Sequence, residues 1–209
     1  MISTNLVLNN LVSSSEIEAL INLIKKNAKV LNFIELNDFL ETKSFQEIEL
    51  FQALVKSDML YKDVGDSVLK AIENNLNIKI KKFPVNGIRI VNGKNESLAP
   101  WHQDEGTWSH HESLSNQKPY TCWIPLKANK TNTLQICLDN LPLKKHNQNN
   151  LKQTGASFDN EEIKNNVVIE PIIGNGYLFS SFQPHRSYNI GNPQDVRISI
   201  DFRFTIVSN

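Results

Sequence analysis

The stretch Val196-Arg-Ile-Ser-Ile-Asp-Phe-Arg-Phe-Thr-Ile-Val207 alternates polar and apolar residues from Val196 to Ile206. Successive side chains of an extended chain point to opposite faces. Arg197, Ser199, Asp201 and Arg203 therefore share one side, and Ile198, Ile200, Phe202 and Phe204 share the other. The apolar side needs a covering layer. The polar side either meets water, as on a half-exposed strand, or lines an interior that uses polar groups.

Working outward, the sequence reads as extended from about Asn77. Strands are expected at Ile78–Phe83, Gly87–Val91, Trp101–Asp104, Tyr120–Leu126, Thr133–Leu138, Val167–Pro171, Gly176–Ser180, His185–Asn189 and Val196–Val207. Short strands divided by Pro, Gly and Asn turns point to a double-sheet jelly roll, the architecture of cupins. Residues 1–76 read as mainly helical support. Ser13-Ser14-Ser15-Glu16 offers capping-box chemistry, after which Ile17, Leu20, Ile21 and Ile24 recur at helical spacing. Further helices are expected within Ser44–Lys56 and about Asp63–Asn75, with Gly65 leaving the start of the latter open. Leu141–Glu162, polar and rich in Lys and Asn, reads as a long loop. The fold class is thus mainly β with a helical cap, one domain over residues 1–209 with its jelly-roll core in 77–209.

The chain has 209 residues, 40% of them hydrophobic, enough for one domain with a substantial core. A formal net charge of zero argues against a nucleic-acid binder working through a broad basic surface. No apolar run is long enough to span a membrane. MISTNLVLNN lacks the basic segment, apolar core and cleavage site of a secretory signal, so a cytoplasmic location is expected. Cys122 and Cys137 have no metal-type spacing and read as buried free thiols.

The chemistry-bearing residues are His102-Gln103-Asp104, His185 and Arg197-Ile198-Ser199. On a strand, His102 and Asp104 would point the same way and reach one metal together. With His185 they make a two-histidine, one-carboxylate set with open positions on one side, the usual home of a non-haem Fe(II) oxygenase. A buried Arg197 can grip a carboxylate through two parallel hydrogen bonds, with Ser199 adding a hydroxyl from the same strand face. Together they suit Fe(II) and 2-oxoglutarate.

The run Ala99-Pro-Trp-His-Gln-Asp-Glu-Gly-Thr-Trp108, then Trp123-Ile-Pro-Leu126, Gly176-Tyr-Leu-Phe-Ser180, Pro184-His-Arg-Ser-Tyr-Asn189 and Arg197-Ile-Ser-Ile-Asp-Phe-Arg203, carries a resemblance. Over roughly residues 84–206 the chain resembles the Fe(II)/2-oxoglutarate-dependent dioxygenases, and within them the phytanoyl-CoA dioxygenase-like branch. The resemblance implies a double-stranded β-helix. It also implies iron on His102, Asp104 and His185, and 2-oxoglutarate on Arg197 and Ser199 with Ser187 adding a hydroxyl. O2 and a small-molecule substrate complete the set, and the cosubstrate leaves as succinate and CO2. Related halogenases lack the carboxylate ligand, so Asp104 favours hydroxylation or desaturation.

Arg89, Trp108 and Gln135 are candidate substrate residues, each with a structural alternative: a salt bridge, a pocket wall or core, and a half-exposed strand. Thr133 shares Gln135's face. Gln103 should point away from the ligands beside it. His110, His111 and His146 read as loop residues. Where relatives carry an Asn-Gly pair and then a small-Ser-His turn, this chain has Asn132-Thr133-Leu134 and Asp139-Asn140-Leu141-Pro142, which leaves the substrate open. The competing reading is a cupin-type metal-binding barrel without catalysis or without a cosubstrate. Such a barrel has no need of Arg197-x-Ser199.

Overall fold

The computed structural model describes residues 6–30, 36, 39–40, 43, 45–92, 99–108, 117–144, 158–192 and 195–207. Its frame is a six-stranded antiparallel sheet. The strands β1 (Leu6–Leu8), β7 (Gly176–Ser180), β4 (Tyr120–Lys127) and β9 (Arg197–Ile206) lie side by side in that order. The far edge of the long β9 carries β3 (Gly87–Val91) and β2 (Ile80–Lys82) one after the other. A smaller sheet runs β6 (Asn166–Val168), β5 (Asn132–Cys137), β8 (His185–Asn189). Trp123, Tyr177 and Phe179 of the large sheet pack on Leu134 and Ile136 of the small one. The two sheets are therefore the halves of a jelly roll, a double-stranded β-helix.

The alternation of β9 is used on both sides. Ile198, Ile200, Phe202 and Phe204 join Ile88, Ile90, Ile124 and Leu178 in the main core. Three helices cover that face: α1 (Ser14–Val30), α2 (Phe45–Ser57) and α3 (Met59–Leu76). They contribute Leu20 and Ile24, then Ile48, Phe51 and Val55, then Val64, Val68 and Ile72, each set at helical spacing. At the start of α1 the Glu16 amide donates to Ser13 Oγ (3.3 Å) and the Ser13 amide donates to Glu16 Oε2 (2.8 Å), a reciprocal cap. Helix α3 begins before the expected Asp63 and runs through Gly65. Tyr61 and Val64, both buried, extend its apolar stripe, and their packing outweighs the ~1 kcal/mol helical penalty of one glycine.

Two expectations need correction. Strand β1 was not foreseen in the N-terminal region, because its pairing partner β7 lies at the other end of the chain. Trp101–Asp104 is not a strand. His102 makes a single bridge to His185, and Asp104 opens a short helix, α4 (Asp104–Trp108). The Glu105 amide donates to the Ser181 carbonyl (2.9 Å) and the Gly106 amide to Gln103 (3.0 Å), which turns the chain there. In the expected 141–162 loop, residues 145–157 lie outside the described residues, and Asn160–Glu162 form a 3-10 turn. Cys122 and Cys137 are free and buried. Gly176 on β7 is required by close approach, since a Cβ there would meet Leu11 Cδ1 at 2.4 Å and Cys122 Sγ at 2.5 Å. No helix among the described residues is long and apolar enough to cross a membrane.

Candidate metal centre and carboxylate pocket

Between the sheets lies a pocket lined by Arg89, Val91, Ala99, His102, Thr121, Trp123, Leu134, Phe179, His185, Ser187, Arg197, Ser199, Asp201 and Arg203. The polar face of β9 thus forms one of its walls. His102, Asp104 and His185 converge at one end, with one potential ligand atom from each lying within 4.8 Å of the others. Asp104 Oδ1 is 3.9 Å from Nε2 of both histidines. The two imidazole rings are 4.2 Å apart, and Phe179 packs on His185 at 4.6 Å.

Backbone carbonyls two residues before each histidine engage its ring. His102 Nδ1 lies 2.7 Å from the Pro100 carbonyl, and His185 Nδ1 lies 3.0 Å from the Gln183 carbonyl. A carbonyl can only accept, so each Nδ1 carries the proton and each Nε2 lone pair points into the site. Burial, with His185 alongside, pushes His102 down to about 3, so its ring is neutral near pH 7. For Asp104 burial acts upward, but the Arg203 guanidinium and the two histidines outweigh it and hold the carboxyl below the usual range. Two imidazole nitrogens and one carboxylate oxygen suit a divalent transition metal with open coordination positions.

Asp104 is itself held by the chain. Its Oδ2 accepts from Thr121 Oγ1 (2.7 Å) and Arg203 Nε (3.1 Å), and its Oδ1 accepts from Arg203 Nη2 (3.2 Å). Gln103 points away from the ligands as expected: its Nε2 donates to the Phe182 carbonyl (2.7 Å) and its Oε1 accepts from the Lys144 amide (2.9 Å).

Arg197 and Ser199 belong to the same pocket. Arg197 is buried; Nη1 donates to the Thr133 carbonyl and Nη2 to Ser187 Oγ (2.9 Å). Its Nε and the Ser199 hydroxyl are buried without a hydrogen-bond partner among the described residues. Burial pushes the guanidinium down to about 10. A buried cation whose hydrogen-bond partners are neutral, beside an unsatisfied hydroxyl, has the chemistry to accept a carboxylate.

Of the substrate candidates, Arg89 lines the pocket and pairs with Asp201 (3.4 Å) and, more loosely, with Glu49 (3.8 Å). Gln135 is not brought to the pocket. On β5 it is Leu134 and Ile136 that face inward, so Gln135 turns outward to Arg186 Nε (2.7 Å) and the Asn166 side chain. Thr133 shares that outward face and is absent from the pocket wall. The Trp108 side chain, His110, His111 and His146 lie outside the described residues. Sequence reasoning missed Thr121 and left Arg203 between solvent and interior. The one available signal was that Arg203 shares the face of Arg197 and Ser199.

No family model and no curated protein matches the sequence. Solved structures do match. EctD from S. alaskensis, in its apoform, superposes with a TM-score of 0.62 at 14% identity, over 97% of this chain and 72% of its own. The non-heme monooxygenase ThoJ does so with 0.60 at 12% identity, over 97% and 75%. The epimerase SnoN, in complex with Fe3+, alpha ketoglutarate and nogalamycin RO, gives 0.59 at 11%, over 96% and 78%. At these identities the likeness is one of fold: nearly the whole chain adopts the double-stranded β-helix on which these enzymes are built.

Proposed function

We propose that the chain is an Fe(II)- and 2-oxoglutarate-dependent oxygenase acting on a small molecule, with hydroxylation as its reaction. The observation that carries this reading is the pairing of two features in one pocket. A two-histidine, one-carboxylate cluster stands at one end, and a buried arginine beside an unsatisfied serine hydroxyl lies on the neighbouring wall. A metal-binding barrel without a cosubstrate has no use for the second feature. That SnoN, of the same fold, holds Fe3+ and alpha ketoglutarate supports the assignment.

The residues present fit both groups. His102, His185 and Asp104 would hold iron, and Arg197, Ser199 and Ser187 would take the far carboxylate of 2-oxoglutarate. Iron and cosubstrate together supply the activation of O2 for oxidation of a substrate C–H bond. The chain's own part is positioning. The Pro100 and Gln183 carbonyls engage Nδ1 of each imidazole and so leave Nε2 of each facing the site. Ser187 orients the guanidinium toward its ligand. Trp123, Leu134 and Phe179 line the pocket with apolar surface that excludes water around the charged groups.

Anaerobic titration of Fe(II)-loaded protein with 2-oxoglutarate tests this without knowledge of the substrate, through the weak visible charge-transfer band of the chelate. The wild type should show the band. Arg197→Ala should keep its iron and bind 2-oxoglutarate about 2–5 kcal/mol more weakly, roughly thirtyfold to several thousandfold. Unchanged affinity in Arg197→Ala removes the clamp, and no binding by the wild type favours the barrel without cosubstrate. His102→Ala or His185→Ala should abolish stoichiometric iron with the fold retained.

A further inference from the structure

Thr121 and Arg203 stand directly opposite each other in the β4–β9 ladder, and both side chains reach Asp104. We propose that they form a cradle that makes Asp104 a one-oxygen metal ligand, presenting Oδ1 and withholding Oδ2. This deepens the iron-centre reading and rests on it. Neither residue touches the reacting atoms; both are positioning residues.

The argument is a count of lone pairs. A carboxylate oxygen has two in-plane acceptor sites. Both on Oδ2 are taken, by the Thr121 hydroxyl at 2.7 Å and Arg203 Nε at 3.1 Å. Among the described residues Oδ1 accepts only from Arg203 Nη2, at 3.2 Å, and it is Oδ1 that sits 3.9 Å from both histidine Nε2 atoms. One lone pair of the carboxylate is therefore left for a metal, on the oxygen that faces the imidazoles. A carboxylate free to rotate can chelate through both oxygens and fill a coordination position that a cosubstrate or O2 would use. The cradle keeps that position open.

Arg203 is fixed well enough to impose this geometry. Its Nη1 donates to the Val85 carbonyl (3.4 Å), and its Nη2 is also 3.6 Å from Asp201 Oδ2. Its backbone amide donates to Asn86 Oδ1 (2.6 Å), while its own carbonyl accepts from the Phe83 amide (2.8 Å). The side chain is buried, so the fork cannot relax into solvent.

Co(II) titration followed by ligand-field absorption tests the cradle, with Thr121→Val and Arg203→Lys as variants that leave the net charge unchanged. Removing such an outer partner typically weakens metal binding about 10–100-fold. Thr121→Val should show a loss in that range and bands shifted in position and intensity as the second carboxylate oxygen enters. Thr121→Ser, which keeps the hydroxyl, should restore the wild-type spectrum. Arg203→Lys should perturb both readouts more, because an ammonium cannot reproduce the two-point grip. The deciding variant is Thr121→Val, whose near-isosteric exchange leaves Arg203 in place. Wild-type affinity and bands in Thr121→Val overturn the cradle while leaving the metal centre intact. No Co(II) uptake by the wild type overturns the metal centre, and the cradle with it.

Discussion

Two buried arginines lie on the same face of β9, and they are in opposite electrostatic states. Arg203 meets Asp104 through two hydrogen bonds and has Asp201 at 3.6 Å; these carboxylates outweigh the burial that acts against its charge and raise its pKa. Arg197 meets a carbonyl and a hydroxyl, keeps an unsatisfied Nε, and is pushed down to about 10 by burial. Taking a guanidinium out of water costs several kcal/mol unless a counter-charge and hydrogen bonds offset it. Arg203 is complete within the folded chain. Arg197 keeps donor capacity that the proposed cosubstrate would use. On that reading a single strand carries both a structural arginine and a receptor.

The comparison breaks most directly on stability. Arg203→Met should leave Asp104 buried without its cation and cost about 3–5 kcal/mol in urea denaturation of the metal-free protein. Arg197→Met removes a buried charge that makes no ion pair among the described residues and should be near neutral or stabilising under the same conditions. Equal losses in the two variants would erase the distinction.

Acid titration sharpens the same contrast. His102 sits near 3 in the metal-free fold against about 6.5 in an unfolded chain, so between those values the unfolded state binds the extra proton. Stability is then fully present above about 6.5 and falls, by an amount on the order of a few kcal/mol, as pH drops toward 3. The Arg197 guanidinium itself does not change charge in that window. Arg197→Met should follow the wild-type acid limb in a series of denaturation curves, whereas His102→Gln should flatten it.

Smaller effects grade the receptor itself. Arg197→Lys should recover only part of the 2-oxoglutarate affinity lost in Arg197→Ala, since a point charge cannot replace the planar fork. Ser199→Ala should weaken 2-oxoglutarate binding by about 1 kcal/mol, the contribution of one hydroxyl hydrogen bond, with iron affinity unchanged by calorimetry. A Ser199→Ala loss equal to that of Arg197→Ala would mean that the serine, and not the charge, dominates.

Much of this was legible in the sequence because local pattern and global layering agree in β9: its apolar face packs on helices with 3.6-residue stripes. The triad residues were legible too, although by a route the chain does not take. His102 and Asp104 converge from a bridge and from the first turn of α4, because the Ser181 carbonyl captures the Glu105 amide. That capture is non-local and leaves no trace in residue spacing. Gln135 was misplaced for a related reason. In β9 the polar face is the interior, whereas in β5 the apolar face is, and alternation alone does not say which side looks inward. Thr121 was invisible because its role is set by its cross-strand partner, Arg203.

The bridge between His102 and His185 has a thermodynamic consequence. Each residue's amide donates to the other's carbonyl, at 3.0 and 2.9 Å, so backbone bonds fix the span between the two imidazoles. Backbone hydrogen bonds, which need no ion, hold this bite. Chelation should leave the protein folded, unlike small domains whose structure exists only with their ion. Added metal then raises the melting temperature by mass action, gradually with its free concentration, as an ordinary ligand does.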